Sequence, residues 1–134
     1  MPRFSRRSLS ALSTAHPSLQ KLFHEVVKYY DCTILEGHRN ERDQNTAYAN
    51  GYSKVQWPNG KHNKIPSLAI DAVPYPIRWT DLPAFYHFTG FVRGMAARMG
   101  IPVRCGVDWN GNFDLKDQTF VDFPHVELIL RRRS

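Results

Sequence analysis

Cysteine is scarce in this chain of 134 residues: Cys32 and Cys105 are the two present. Two thiols cannot build a disulfide framework or a four-thiolate metal site. No apolar run approaches the roughly 20 residues needed to cross a bilayer. The opening stretch MPRFSRRSLSALSTAHP is charged but lacks a continuous apolar core, so no secretory signal is expected. Internal repeats and low-complexity tracts are also missing. Acidic residues are fewer than basic ones, 12 against 18, for a net charge of +6. That imbalance sits at the ends. Without Arg3, Arg6, Arg7, Arg131, Arg132 and Arg133, the body carries 12 residues of each sign. A surface that tracks phosphates clusters Lys and Arg on the folded body, so no nucleic-acid partner is expected. The basic ends read as solvated tails, or alternatively as a weak attachment to an anionic surface. Hydrophobic residues are 42% and charged residues 22%, ordinary for a globular protein. The length predicts one domain, with roughly two thirds of its unfolded surface buried.

Residues 1–15 read as a basic arm, 16–130 as the folded domain and 131–134 as a basic tail. His16-Pro17 opens a helix, with Pro near the first turn where its missing N–H costs little. Leu19, Leu22, Phe23, Val26, Val27 and Tyr30 then repeat along one helix face. CTILE (32–36) is a strand. ERDQNTAYANG (41–51) is a second helix, stopped by Gly51. Residues 52–66 form a loop long enough to suggest function. SLAIDAVPYP is a strand in which Asp71 faces away from Ile70 and Ala72. Thr80 caps a third helix, with Leu82, Phe85, Phe88, Val92, Met95, Ala96 and Met99 as its apolar stripe and Gly100 as its end. IPVRC (101–105) is a strand. FVDFPHVELIL (120–130) is a last strand, interrupted by Pro124, which confines that point to an edge or a bulge. Three main helices and several short strands predict a small α+β domain.

Two segments concentrate metal-ligand residue types. GKHNKIPSLAID holds His62 and Asp71, nine positions apart, and VDFPHVEL holds Asp122, His125 and Glu127. A catalytic zinc takes three protein ligands of the N/O kind and keeps a fourth position open for water. Two histidines and one carboxylate meet that count. One carboxylate, Asp122 or Glu127, is left over to complete activation of the water.

These two segments resemble the paired motif of the zinc D-alanyl-D-alanine carboxypeptidase and L-alanyl-D-glutamate endopeptidase family, most of all its phage endolysin branch, with VanX-type dipeptidases more distant. The family's S-x-H, spacer, A-x-D reads here as Gly60-Lys61-His62 and Ala69-Ile70-Asp71. Its acidic-x-x-His reads as Asp122-Phe123-Pro124-His125. EGHRNERDQNTAYANGYSK resembles the family's Arg and Gln region, and GVDWNGNFDLKDQTF its approach to the second motif. The likeness runs from about His16 to Leu128. Three departures stand out: Gly60 replaces the usual Ser, the His-to-Asp spacing is nine rather than the common seven, and Cys105 replaces an expected aromatic residue. The longer spacer changes loop-closure entropy little. Cys105 reads as a small buried hydrophobe rather than a soft ligand.

The resemblance implies a hedgehog/DD-peptidase-like fold with a mostly antiparallel sheet. It implies one Zn2+ per chain held by His62, Asp71 and His125, and Asp122 as general base. Glu127, facing the same way as His125 in a regular strand, is the competing base or a residue that orients a ligand. Arg39 is expected to stabilise the oxyanion or grip a substrate carboxylate, or else to pair with Glu36 or Glu41. Gln44 is expected to bind substrate or to be a solvated helix residue. His16, His24, His38 and His87 are taken as structural or exposed. Trp57, Trp79 and Trp109 are expected at the domain edge, with Trp57 nearest the site.

The activity so implied is hydrolysis of the L-alanyl-D-glutamate bond of the peptidoglycan stem peptide by a monomeric phage or prophage endolysin. Such an enzyme accumulates in the host cytoplasm and reaches the wall after the membrane is permeabilised. The alternatives are cleavage of D-alanyl-D-alanine, or a non-catalytic virion or nucleic-acid-binding protein on the same fold.

Overall fold

The computed structural model describes residues 2–118 and 120–130; the tail expected over 131–134 lies outside them. Among the described residues, four helices and four strands follow in the order α1 (Arg6–Leu12), α2 (Pro17–Val26), β1 (Cys32–Glu36), α3 (Glu41–Ala49), β2 (Ala69–Pro74), α4 (Leu82–Met99), β3 (Val103–Cys105) and β4 (His125–Leu128). A single 3-10 turn, Lys61–Asn63, stands in the long loop between α3 and β2. The strands form one antiparallel sheet in the order β1-β2-β4-β3. No helix among the described residues is long and apolar enough to cross a membrane.

Side-chain alternation along the strands divides the sheet into two faces. Cys32, Ile34, Ile70, Ala72, Cys105, Val126 and Leu128 belong to the core cluster. Leu19, Leu22, Phe23 and Val26 of α2 join it, all fully buried, as their spacing requires. Phe88, Val92 and Ala96 of α4 complete it. α2 packs against α4, and α4 lies on β2 and β3. His16 caps α2, its Nδ1 accepting the Ser18 N–H at 3.0 Å. Asp81, rather than Thr80, caps α4, accepting from Ala84 N–H. Gly100 ends α4 at φ 72°, a left-handed conformation that favours glycine. α3 ends at Ala49, two positions before Gly51.

Residues 2–15 are packed on the domain and do not form an arm. Ser5 caps α1, accepting from Ser8 N–H, and Phe4, Leu12 and Ala15 are buried in the core cluster. Ser8 Oγ accepts the Ile34 N–H of β1 at 3.0 Å. Arg6 and Arg7 therefore belong to a packed helix, and the apolar residues between them and His16 supply its anchor. The segment also holds the long loop. Ser67 N–H donates to Thr14 O at 2.9 Å, and His16 N–H donates to Ser67 O at 2.8 Å.

Pro124 stands just before β4, so Asp122 lies outside the strand and His125 begins it. β4 is flanked by β2 and β3 and is therefore a central strand, not an edge. Pro124 still serves the sheet through its carbonyl, which accepts the Ala72 N–H at 2.9 Å.

Leu12 is 1% exposed, so Leu12→Ala leaves a cavity and should cost about 2–5 kcal/mol. Urea unfolding checks this: an unchanged midpoint would mean that α1 contributes nothing to the fold.

Candidate metal centre and its cleft

The face of the sheet opposite the core carries the polar residues. Across β2 and β4, Asp71 pairs directly with His125, and Ala69 with Glu127. Across β1 and β2 the register shifts between Ile34 and Glu36, so that Glu36 and not Leu35 stands opposite Asp71. This irregularity aligns Glu36, Asp71 and His125 in one row over three strands, a use of bulges common beside functional sites. Arg104 of β3 pairs with Glu127 and donates to its carboxylate at 2.9 Å.

His62 reaches the row from the 3-10 turn. Its Nε2 lies 3.1 Å from Asp71 Oδ1, and its Nδ1 lies 2.7 Å from the Gly37 carbonyl. His125 Nδ1 is 3.6 Å from the same Oδ1, and its Nε2 is 2.9 Å from Glu127 Oε1. One donor atom each from His62, Asp71 and His125 fall within 4.8 Å of one another. Each imidazole has its outer nitrogen against an acceptor, which turns a lone pair of the inner nitrogen toward Asp71 when the ring is neutral. A tetrahedral ion with bonds of about 2.1 Å needs donors roughly 3.4 Å apart, and the separations of 3.1 and 3.6 Å bracket that value. Two nitrogens and one carboxylate oxygen, with each ring braced from behind, fit a zinc ion with a position left open.

Burial alone would raise the Asp71 carboxyl, but the two imidazoles outweigh it and hold the group well below the usual carboxylate range. Burial would lower His125; hydrogen bonding to Asp71 and Glu127 instead lifts it to about 9 in the absence of metal. Asp122 behaves oppositely to Asp71. Its burial and the Asp71 charge push it up to about 6, partly offset by His125, His62 and Arg39. Its Oδ2 lies 3.9 Å from His125 Nδ1, beside the donor set but not within it. Glu127 is also buried, yet its bonds to His125 and Arg104 hold it below its ordinary value.

Arg39 lies at the floor of the cleft. It donates through Nε and Nη2 to both oxygens of Glu36, at 3.0 and 2.9 Å, and through Nη1 to Gln44 Oε1 at 3.0 Å. Nη2 also lies 3.5 Å from Asp71 Oδ2. The guanidinium fork is thus engaged inside the protein, with Glu36 as partner and not Glu41. Gln44 is neither solvated nor offered to substrate. It is 1% exposed, its amide nitrogen donates to Ser53 Oγ and Val55 O, and its oxygen accepts from Arg39 and Asn63. That fills its hydrogen-bonding capacity and makes it a brace between Arg39 and the loop.

The Gly60 departure has a structural counterpart. A Cβ there would meet Asn63 Oδ1 at 2.6 Å, and that same oxygen accepts the Gly60 N–H at 2.9 Å. The Asn63 side chain occupies the room a serine would need. Gly106 is a second close approach: an added Cβ would overlap the Asp122 carbonyl. Gly106 N–H donates to His125 O at 2.8 Å and Asp122 N–H donates to Gly106 O at 2.9 Å, so Gly106 sets the position of the 122–125 segment. The motif reading missed Gly106 and Asn63. The signal available was the glycine beside Cys105 and the asparagine next to His62.

Trp109, not Trp57, flanks the centre. Its ring centroid lies 5.1 Å from that of His125, whereas Trp57 does not line the cleft. Trp79 stacks on Phe85 and is exposed. Cys105 is buried in β3, and burial pushes its thiol up to about 12, which suits a packing residue and not a ligand. His24 packs on Phe4, His38 contacts the Lys64 carbonyl and His87 bonds to Tyr30. The cleft over the centre has a volume of about 530 Å³, room for a short stretch of peptide.

A half-open cleft with three converging metal-ligand side chains and a second carboxylate beside them is the make-up of a hydrolase centre. The family model described as phage L-alanyl-D-glutamate peptidase matches residues 1–129, and the chain belongs to that family. The L-alanyl-D-glutamate peptidase of Escherichia phage T5 is 34% identical over 135 residues, covering 95% of this chain and 98% of the relative. In fold, the chain is similar to the crystal structure of Serratia marcescens L-Ala D-Glu endopeptidase ChiX, with a TM-score of 0.74 and 23% identity over 96% of this chain and 91% of the other.

The charged His125 stabilises the metal-free protein. Because its folded pKa is raised, that contribution is complete below about 6.5 and is lost as pH rises through about 9. Chelated protein should therefore lose on the order of 3 kcal/mol of this contribution across that window, and metal affinity should rise over the same range as the Nδ1 proton becomes easier to displace. Unfolding and metal titrations at pH 6 and pH 9.5 check both, and a metal affinity independent of pH would contradict the arrangement.

Proposed function

We propose that the chain is a zinc-dependent peptidoglycan endopeptidase that hydrolyses the L-alanyl-D-glutamate bond of the stem peptide. The observation that carries this reading is the convergence of His62 Nε2, Asp71 Oδ1 and His125 Nδ1 beneath a peptide-sized cleft. Membership of the phage L-alanyl-D-glutamate peptidase family, and the activity named for the phage T5 relative, select the bond. Zinc held by those three donors would supply Lewis acidity, lowering the pKa of water toward about 7 and polarising the scissile carbonyl.

The remaining steps fall to the chain's own groups. Asp122, held up at about 6 in the absence of metal, is suited to take a proton from the attacking water and hand it to the leaving amine near neutral pH. Glu127 keeps His125 oriented from behind, and its bonds to His125 and Arg104 leave it poorly placed to act as base. Arg39 fixes Asp71 through Oδ2 and adds positive charge beside the developing oxyanion. With its fork engaged by Glu36 and Gln44, it acts by field and positioning more than as a clamp on substrate. In this reading the protein is a phage or prophage lysin that is made in the host cytoplasm and acts on the wall once the membrane is breached.

Mass analysis of peptidoglycan digests tests the bond: products should end in L-alanine and begin with D-glutamate, and release of terminal D-alanine instead would reject the assignment. Asp122→Asn should keep its zinc while losing roughly 10²–10⁴-fold in turnover. A fully active Asp122→Asn enzyme would transfer the base role to another group.

A further inference from the structure

Among the described residues that line the cleft, each carboxylate faces a hydrogen-bond donor or a cation, whereas two ammonium groups form no ion pair. Glu127 is engaged by Arg104 and His125, and Asp117 accepts from Asn110, Asn112 and Gln118. Asp122 faces His125, and Arg39 is fixed by Glu36. Lys54 and Lys61 line the same cleft. Among the described residues neither forms an ion pair.

An aromatic shelf lies beside Lys54. Trp109 sits 5.1 Å from the His125 ring. Phe120 stacks on Trp109 with centroids 6.4 Å apart and planes at 17°. Lys54 Nζ lies 5.2 Å from the Phe120 centroid, a distance that gives a weak cation–π contact. The shelf thus runs from a candidate metal ligand to an ammonium group. Lys61 lines the same cleft, next to His62 in the 3-10 turn.

The chemistry of the bond supplies a counterpart. In an L-alanyl-D-glutamate linkage the leaving nitrogen belongs to an amino acid with two carboxyls. When one of them continues the peptide, the other remains an anion within a few bonds of the reaction. A diamino diacid as the next residue adds a second carboxylate further along.

We propose that Lys54, supported by Lys61, receives a free carboxylate on the leaving-group side of the scissile bond, so that the enzyme selects acidic stem peptides over amidated ones. This rests on the reading of the chain as an L-alanyl-D-glutamate peptidase. Lys54 is then a specificity determinant, set apart from the reacting atoms by the Trp109–Phe120 shelf.

Two pairs of synthetic stem peptides test it. The first pair differs only in carboxylate against carboxamide on the D-glutamyl residue, and the second only in the presence of a carboxylate on the following residue. kcat/KM and product masses are measured for wild type, Lys54→Met and Lys54→Arg. Wild type should prefer the acidic member of one pair by roughly tenfold. The preference should fall to near unity in Lys54→Met and return in Lys54→Arg, and the pair that responds identifies the carboxylate being read. No preference in wild type, or a preference that survives Lys54→Met, overturns the proposal. Calorimetric titration of the same peptides into enzyme carrying Asp122→Asn, with and without Lys54→Met, reads the preference without turnover. Cleavage at another bond would thus reject the activity while the titration still decides the role of Lys54.

Discussion

One carboxylate, Asp71, holds the centre together. Its Oδ1 faces His62 at 3.1 Å and His125 at 3.6 Å, and its Oδ2 faces Arg39 at 3.5 Å. Three segments distant in sequence therefore meet on a single, largely buried anion. Such a group is costly in an apolar interior unless cations or hydrogen-bond donors surround it, and here those neighbours are the functional residues themselves. The neutral form of Asp71 would loosen His62, His125 and Arg39 together.

The surrounding structure keeps those partners in register. The antiparallel pairing of Asp71 with His125 sets one pair, and the shift in β1 brings Glu36 into the same row to hold Arg39. The Gly37 carbonyl orients His62, and the loop that carries His62 is tied at Ser67 to the residues just after α1. The N-terminal segment thus contributes to the centre indirectly, by anchoring that loop, while the apolar face of the sheet rests on α2 and α4. A change far from the cleft can reach the donors through this tie.

Much of this was legible in the sequence because periodicity and cap chemistry are local. The stripe Leu19, Leu22, Phe23, Val26 and the end of α4 at Gly100 are of that kind, and so are the strands around Ile34 and Ile70. Donor count made His62, Asp71 and His125 an admissible set, and the resemblance of their two motifs to the family's pair grouped them. The structure brings those three together, with His62 presented from a 3-10 turn. What the sequence hid depends on contacts between distant segments. The arginines near the N-terminus masked Phe4, Leu12 and Ala15, whose burial is decided by β1 and the loop at Ser67. Gln44, expected to bind substrate or to be solvated, is held instead by four partners from other segments, which no local pattern reveals. Trp109 was undervalued against Trp57 because nearness in sequence to His62 is a poor guide to nearness in space. The alternation rule could not place Asp122, since the chain leaves strand geometry before Pro124.

X-ray absorption at the zinc edge on stoichiometrically loaded protein is the most direct measurement of the central claim. The account predicts one ion per chain, a shell of nitrogen and oxygen neighbours at about 2.0–2.1 Å with imidazole scattering, and loss of that shell in Asp71→Ala. A sulfur neighbour at about 2.3 Å, or an unchanged spectrum in Asp71→Ala, would contradict it.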